Sequence, residues 1–180
     1  MNAKRKDGQQ LGTVLRLGAV YGSRIKGNYE RLTQALARGR FIPIGNGLNR
    51  RTLVYDKDVG RAAVLAVSYP AAAGRVFNVT DGKFHTLNEI IESICSALGR
   101  KPPRFSLPVG PCRSLVGSIE TGYRALGLTA PVSRSMIDKY TEDIAVDGSL
   151  IQKELGFMPQ YDLKTGWEET IREMRELGIL

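Results

Sequence analysis

Cysteine and histidine are nearly missing from this chain. Of 180 residues, only Cys95 and Cys112 are cysteines, and His85 is the lone histidine. Two cysteines and one histidine fit no zinc-ligand spacing and no disulfide framework, so no metal site is expected. Cys95 reads as a small apolar core residue. No run of about 18 apolar residues occurs, so no membrane span is expected. The opening MNAKRKDGQQ is basic, but no apolar segment follows it, which excludes a secretory signal. These absences fit a cytoplasmic protein. There is no internal repeat and no low-complexity tract.

Positive charge is in excess. Lysine and arginine number 26 against 18 acidic residues, a formal net charge of +8. Such a balance suits nucleic acid, an anionic membrane or a phosphorylated ligand. The cations are scattered, with no long basic run interleaved with aromatics and no helix-turn-helix or zinc-finger pattern. Nucleic acid is therefore not expected as a partner.

The remaining composition, 42% hydrophobic, is enough to bury a core. TVLRL (13–17) reads as a buried strand, and GAVYG as a turn bracketed by Gly18 and Gly22. YERLTQALAR (29–38) has a helical apolar face and stops at Gly39. FIPIG (41–45) is an extended piece that Pro43 places at an edge or in a loop. GNGLN is a turn, and RTLVY (51–55) is extended again. Asp56 or Asp58 caps the helix that follows. VFNV (76–79) is a strand, and TLNE (86–89) has capping-box spacing before the periodic Ile90, Ile91, Ile94 and Leu98. Residues 101–117, rich in Pro and Gly, read as a loop with a short helix near Ser114. Asp147 is an N-cap for 149–156. Residues 163–178 form an amphipathic helix with Leu163, Trp167, Ile171 and Met174 on one face. Strands alternating with helices predict an α/β fold.

Several chemistries are not encoded in these 180 residues. Neither G-x-x-G-x-x-G nor G-x-G-x-x-G occurs, so there is no glycine-rich turn to receive a dinucleotide pyrophosphate. No tyrosine has a lysine four residues on, the arrangement that lowers the pKa of a tyrosine acid/base. G-x-S-x-G is absent and the lone histidine has no obvious partners, which argues against a serine hydrolase. No catalytic residue is assigned.

Four motifs, in order, carry a resemblance. LRLGAVYG (15–22) is similar to a strand and loop written R-x-x-N-V-Y-G. FIPIGNGLNRRTLVYDKDV (41–59) is similar to G-x-G-x-x-x-R with a following extended run and D-V. VFNVTDG (76–82) is similar to Y-N-V/I-G-x-G. DGSLIQKELGFMPQYDLKTGWEETI (147–171) is similar to D-x-S-K-x-x-x-x-L-G-W-x-P. Together, from Thr13 onward, they resemble the C-terminal portion of the extended short-chain dehydrogenases/reductases, the NAD-dependent epimerase/dehydratase family.

The resemblance implies the last strands of a Rossmann-type sheet plus a small mixed substrate-binding lobe. Residues 1–180 would be mostly that lobe, without the N-terminal nucleotide-binding half. It implies substrate contacts at Arg51 (the diphosphate), at Asn28 and Tyr29 (the phosphates), and at Ile42 and Ile44 (the base). A guanidinium fork matches phosphate oxygens two at a time. Beside each role stands a plainer one: a surface arginine, with Arg50 as rival, an N-cap at Asn28, and edge packing at the isoleucines. Gly18, Ala19, Val20 and Tyr21 would lie near the nicotinamide end of the cofactor, or form a simple turn. Asp58 and Asn78 read as structural, capping a helix, tying a loop and bonding local backbone. The cofactor implied is NAD or NADP, held by the parent and not by this chain alone. The implied ligand is a nucleoside-diphosphate sugar, most simply a UDP-sugar. A homo-oligomer, or pairing with the missing half, is also implied.

Two departures pull toward a 4-keto-sugar-nucleotide reductase: Ala19 replaces a substrate-contacting asparagine, and KYTEDIAVD (139–147) replaces a stretch with arginine and aspartate. Ser23 also stands where proline is usual. The residues leave three readings open: part of an epimerase or dehydratase that is inactive alone, part of a reductase, or a stand-alone binding module. In the first two, MNAKRKDGQQ is the end of the helix carrying the catalytic tyrosine and lysine. In the third, the strands expose apolar edges.

Overall fold

The computed structural model describes Gly8 and residues 12–180; the expectation of a helix end at residues 1–10 otherwise lies outside these. The alternation of strands and helices gives the expected α/β fold. Strand β1 (Val14–Leu17) pairs in parallel with β5 (Val76–Val79), and β2 (Ala19–Tyr21) pairs in parallel with β4 (Leu53–Tyr55). β1 and β2 are one extended segment that changes neighbour at Gly18. The Gly18 N–H goes to the Val79 carbonyl at 2.8 Å, and the next N–H, of Ala19, to the Thr52 carbonyl at 2.9 Å. A Cβ on residue 18 would sit 3.0 Å from that Thr52 oxygen, so a side chain there would push on the Thr52 backbone and glycine lets the two partners close in. The turn expected over GAVYG is thus a strand.

The parallel connections run through helices α1 (Asn28–Ala37) and α2 (Asp56–Ser68). α3 (Leu87–Leu98) and α7 (Leu163–Glu176) pack against each other. One core joins Tyr21, Leu53 and Tyr55 to Ile90, Ile94, Trp167 and Ile171. A second joins Val54, Ala62, Phe77 and Val79 to Ile151, Leu155 and Phe157 of α6 (Ser149–Leu155) and the loop after it. Cys95 is 1% exposed and its thiol pKa is raised by burial. An aromatic stack runs through the first core: Tyr21 lies on Trp167 at 4.5 Å between centroids, and Tyr55 on Tyr161 at 4.4 Å.

The capping box before α3 forms as its spacing predicts. Thr86 Oγ1 accepts from the Glu89 N–H at 3.2 Å, and the Glu89 carboxylate accepts from the Thr86 N–H at 2.7 Å. That backbone bond holds the Glu89 carboxyl below its usual pKa. Thr86→Ala is expected to cost about 1 kcal/mol, readable as a lower urea midpoint at unchanged slope.

Other expectations are corrected. Residues 101–117 are not a loop with a short helix: α4 (Val109–Ala125) is a long helix. Its Pro111 falls in the first turn, where the N–H has no intrahelical acceptor to lose. α5 (Arg134–Thr141) has no counterpart in the sequence reading; it packs on α4, with Arg113 bridging to Asp138 at 2.8 Å. FIPIG is the edge or loop piece expected, with a single bridge, Ile44 to Leu107. Neither Asp56 nor Asp58 caps α2, which starts at Asp56. Asp58 is nevertheless a tie. It is 1% exposed, and its carboxylate accepts from the Gln160 and Tyr161 N–H groups at 3.1 Å and from Arg61 at 2.7 Å. Asp147 accepts from the Ser149 N–H at 2.8 Å, one residue ahead of the Gly148 cap position. The backbone that Asn78 bonds is not local: its side-chain amide donates to the Asp147 carbonyl.

Candidate functional site

Strand β3 (Arg50–Arg51) carries the two candidate arginines and pairs antiparallel with β6 (His85–Thr86). Along its other side runs the KYTEDIAVD stretch: the Ile144 N–H reaches the Arg50 carbonyl at 2.9 Å, and the Thr52 N–H reaches the Ile144 carbonyl at 3.3 Å. The segment that departs from the family pattern is therefore laid directly against Arg51.

Arg51 closes the C-terminus of α5. Its Nη1 donates to the Glu142 carbonyl at 2.7 Å, and its Nη2 to the Lys139 and Tyr140 carbonyls, both at 2.9 Å. A helix leaves its last carbonyls unpaired, and a cation there also meets the negative end of the helix dipole. A guanidinium has five N–H groups, so the Nε–H and one Nη1–H are not used by described residues. Arg50 is held differently. Its backbone N–H and Nε reach the two oxygens of Asp143 at 2.7 and 3.3 Å, and its guanidinium lies over the Phe84 ring at 5.6 Å. The Arg50 N–H first, and its side chain next, keep the Asp143 carboxyl below the ordinary range.

Three of the predicted substrate residues come together. Tyr29, at the start of α1, is half-buried; burial pushes its phenol up to about 12, opposed by the Arg51 charge. Tyr140, also within reach of that charge, faces the Ile44 backbone N–H without closing a hydrogen bond to it. Asn49 adds its side-chain amide to the Tyr140 carbonyl at 3.0 Å. Arg51 thus holds the end of α5, with Ile44 facing Tyr140 and Tyr29 within reach of the Arg51 charge. Asn28 is exposed and caps nothing, its side chain has no hydrogen bond among the described residues, and Ile42 is 59% exposed. The sequence reading missed Asn49, Tyr140 and Asp143. The last two lie about 90 residues from β3, inside the KYTEDIAVD stretch that stood out as a departure without either residue being singled out.

The residues aligned with the cofactor loop sit next to this cluster, since Ala19 pairs with Leu53. They do not fit as a holder for a dinucleotide. The Gly18 and Ala19 amides are spent on the sheet, and Tyr21 is 1% exposed, its phenol reaching only the Asp162 carbonyl, at 3.4 Å. His85, read as partnerless, does have a partner: its Nε2 lies 2.5 Å from Asp81 Oδ2, and both side chains are buried. No hydroxyl joins that pair among the described residues, so no serine triad forms. No group of metal-ligating side chains occurs among them either.

Comparison with known proteins agrees with the motifs. The model of the NAD dependent epimerase/dehydratase family matches residues 2–80. A UDP-glucose 4-epimerase from Vibrio cholerae is 28% identical over 169 residues, which are 93% of this chain and 48% of that protein. An N-acetyl-alpha-D-glucosaminyl-diphospho-ditrans,octacis-undecaprenol 4-epimerase from Escherichia coli O157:H7 is 24% identical over 166 residues, covering 89% of this chain and 48% of the relative. Among solved structures, the Thermotoga maritima UDP-glucose 4-epimerase with UDP-glucose superposes with a TM-score of 0.63 at 24% identity, over 92% of this chain and 46% of that one. The Bacillus cereus UDP-glucuronic acid 4-epimerase, in complex with UDP-glucuronic acid and NAD, gives 0.63 at 19% identity, over 92% and 45%. The chain spans about half the length of the curated relatives it matches.

Proposed function

We propose, for a chain that shares sequence and fold with the C-terminal part of NAD-dependent epimerases and dehydratases, that it supplies the sugar-nucleotide-binding part of such an enzyme. The ligand is a nucleoside-diphosphate sugar, a UDP-sugar in the simplest case. Hydride transfer to and from NAD(P) belongs to residues of the parent that these motifs do not include, and the chain alone is inactive. A reductase of 4-keto sugar nucleotides is the second reading, favoured by Ala19 and by the stretch packed on β3.

The observation that carries the proposal is the cluster of Tyr29, Ile44 and Arg51, each at a position the family resemblance gives to the substrate. Arg51 is pre-set for a diphosphate: three N–H groups fix the guanidinium on α5, and two remain to donate. Fixing the fork in advance lowers the entropy lost when a ligand docks. Asn28, at the exposed start of α1, and the exposed Ile42 complete the proposed contacts.

Titration calorimetry with UDP, UDP-glucose and NAD tests this. UDP and UDP-glucose should bind, and NAD should not. Losing a charge-assisted bond of ~1.5–3 kcal/mol, Arg51→Ala should weaken UDP at least about tenfold. Because the same change frees the end of α5, Arg51→Lys is run beside it, with a thermal melt for each. The lysine keeps the charge but not the fork, and should recover part of the affinity. Unchanged UDP affinity in well-folded Arg51→Ala would overturn the role given to this residue.

A further inference from the structure

α1 and α3 end side by side, and both ends are crowded with cations. Arg38 and Arg40 follow α1, Arg100 and Lys101 follow α3, and Arg104 comes soon after. All five are exposed, and none forms an ion pair among the described residues. The two ends are close: a Cβ on Gly39 would lie 3.6 Å from the Arg100 guanidinium, and Arg100, Lys101, Gly39 and Phe41 line one cavity of about 290 Å³. The Leu107 N–H then meets the Pro43 carbonyl, and the Gly45 N–H the Leu107 carbonyl, each at 2.8 Å. Residues 39–45 and 100–107 therefore form one continuous surface.

Apolar side chains stand out from the same surface. Phe105 is 84% exposed, Ile42 59% and Leu107 45%. Cations beyond a helix end offset its dipole, which accounts for Arg38 and Arg100. It does not account for Arg104, nor for a phenylalanine held in water beside it. Pro102 and Pro103 restrict the backbone leading to Arg104 and Phe105, so the apolar tip is presented on a stiffened loop.

We propose that this surface docks on an anionic lipid bilayer. Charge complementarity selects an anionic partner. The exposed groups select lipid over nucleic acid: stacking on bases calls for aromatic platforms, whereas here one exposed phenylalanine stands among aliphatic side chains. Lys and Arg lay their stems along the interface and keep their charges at headgroup level, while Phe105 and Leu107 enter the boundary of the acyl chains. Each cation near an anionic leaflet is worth roughly fivefold in partitioning, so five suffice for reversible attachment without an anchor.

The test is co-sedimentation of the full chain with vesicles of phosphatidylcholine alone, and of phosphatidylcholine with 30% phosphatidylglycerol (roughly the anionic content that gives a strong surface potential). The chain should pellet with the anionic vesicles only, and less at 0.5 M salt, where screening shortens the field to about 4 Å. Arg100→Glu/Lys101→Glu should lower the partition coefficient at least about tenfold. Phe105→Ser should lower it with less effect on its salt dependence. Lys83→Glu/Lys153→Glu makes the same charge change at exposed sites elsewhere, and should retain most of the binding. Equal binding to both vesicle types, or equal loss in both double variants, would overturn the proposal. So would tighter binding to single-stranded RNA than to anionic vesicles, lost in Arg100→Glu/Lys101→Glu, which would assign the surface to nucleic acid. None of these outcomes depends on UDP binding at Arg51.

Discussion

Asp58→Ala is expected to lower stability by about 3 kcal/mol, a drop of roughly 6–12 °C in the melting midpoint of a chain this size. Asp58 lies in the first turn of α2 but points across to the loop between α6 and α7. There it accepts from the Gln160 and Tyr161 N–H groups, and Arg61 neutralises it from one turn further along α2. Alanine strands two backbone donors at a buried position, and each stranded donor costs about 1–3 kcal/mol. The Arg61 ion pair adds little, because the Arg61 side chain is 40% exposed and the pair is screened. Asp58→Asn keeps the volume but turns one acceptor into a donor facing other donors, so it should recover only part of the loss. Arg61→Ala separates the terms: it should cost well under half as much as Asp58→Ala. Equal losses in the two variants would show that the ion pair, not the loop's backbone, is what Asp58 stabilises.

Gly166→Ala is expected to destabilise by about 2 kcal/mol net, against the usual preference for alanine in a helix. On propensity alone the change gains ~1 kcal/mol. The added Cβ, however, would fall on the Tyr21 phenol, overlapping its oxygen and lying 2.8 Å from Cζ. Tyr21 cannot yield easily, being 1% exposed, stacked on Trp167 and tilted against Tyr55. Overpacking of this kind costs ~1–3 kcal/mol and sits at the upper end where the neighbour is a locked aromatic. Two comparisons isolate the cause. Gly60, exposed on α2 with nothing within 4 Å of its Cβ position, should become more stable by ~0.5–1 kcal/mol as alanine. Tyr21→Phe in the Gly166→Ala background removes the nearest atom and should recover part of the loss. A Gly166→Ala protein as stable as the parent in urea would mean that the aromatic stack is looser than the structure draws it.

Much of the framework was legible because its causes are local. The capping box at Thr86 and Glu89, the apolar face of α7 and the strand VFNV each depend on residues within a few positions of one another. Periodicity and hydrogen-bond reach decide them before the chain folds. α4 was not legible for a related reason. Gly110, Pro111, Gly117 and Gly122 lower intrinsic helix preference, and it took packing against α5 to override it. The turn expected at GAVYG was a strand because Gly18 serves two sheet partners, both distant in sequence.

The candidate site divides in the same way. Motif order alone determined the family resemblance and put Arg51 forward for the phosphates, with Arg50 as rival, because a guanidinium fork matches phosphate oxygens. Only the tertiary structure decided what that guanidinium meets. Its acceptors belong to Lys139, Tyr140 and Glu142, about 90 residues away, and they become acceptors because α5 ends there with its last carbonyls unpaired. Tertiary structure alone also separated the half-buried Tyr29 and Ile44 from Asn28 and Ile42, left in solvent. A sequence states which donors a chain owns; the fold determines which of them are already spent on its own backbone and which remain for a ligand.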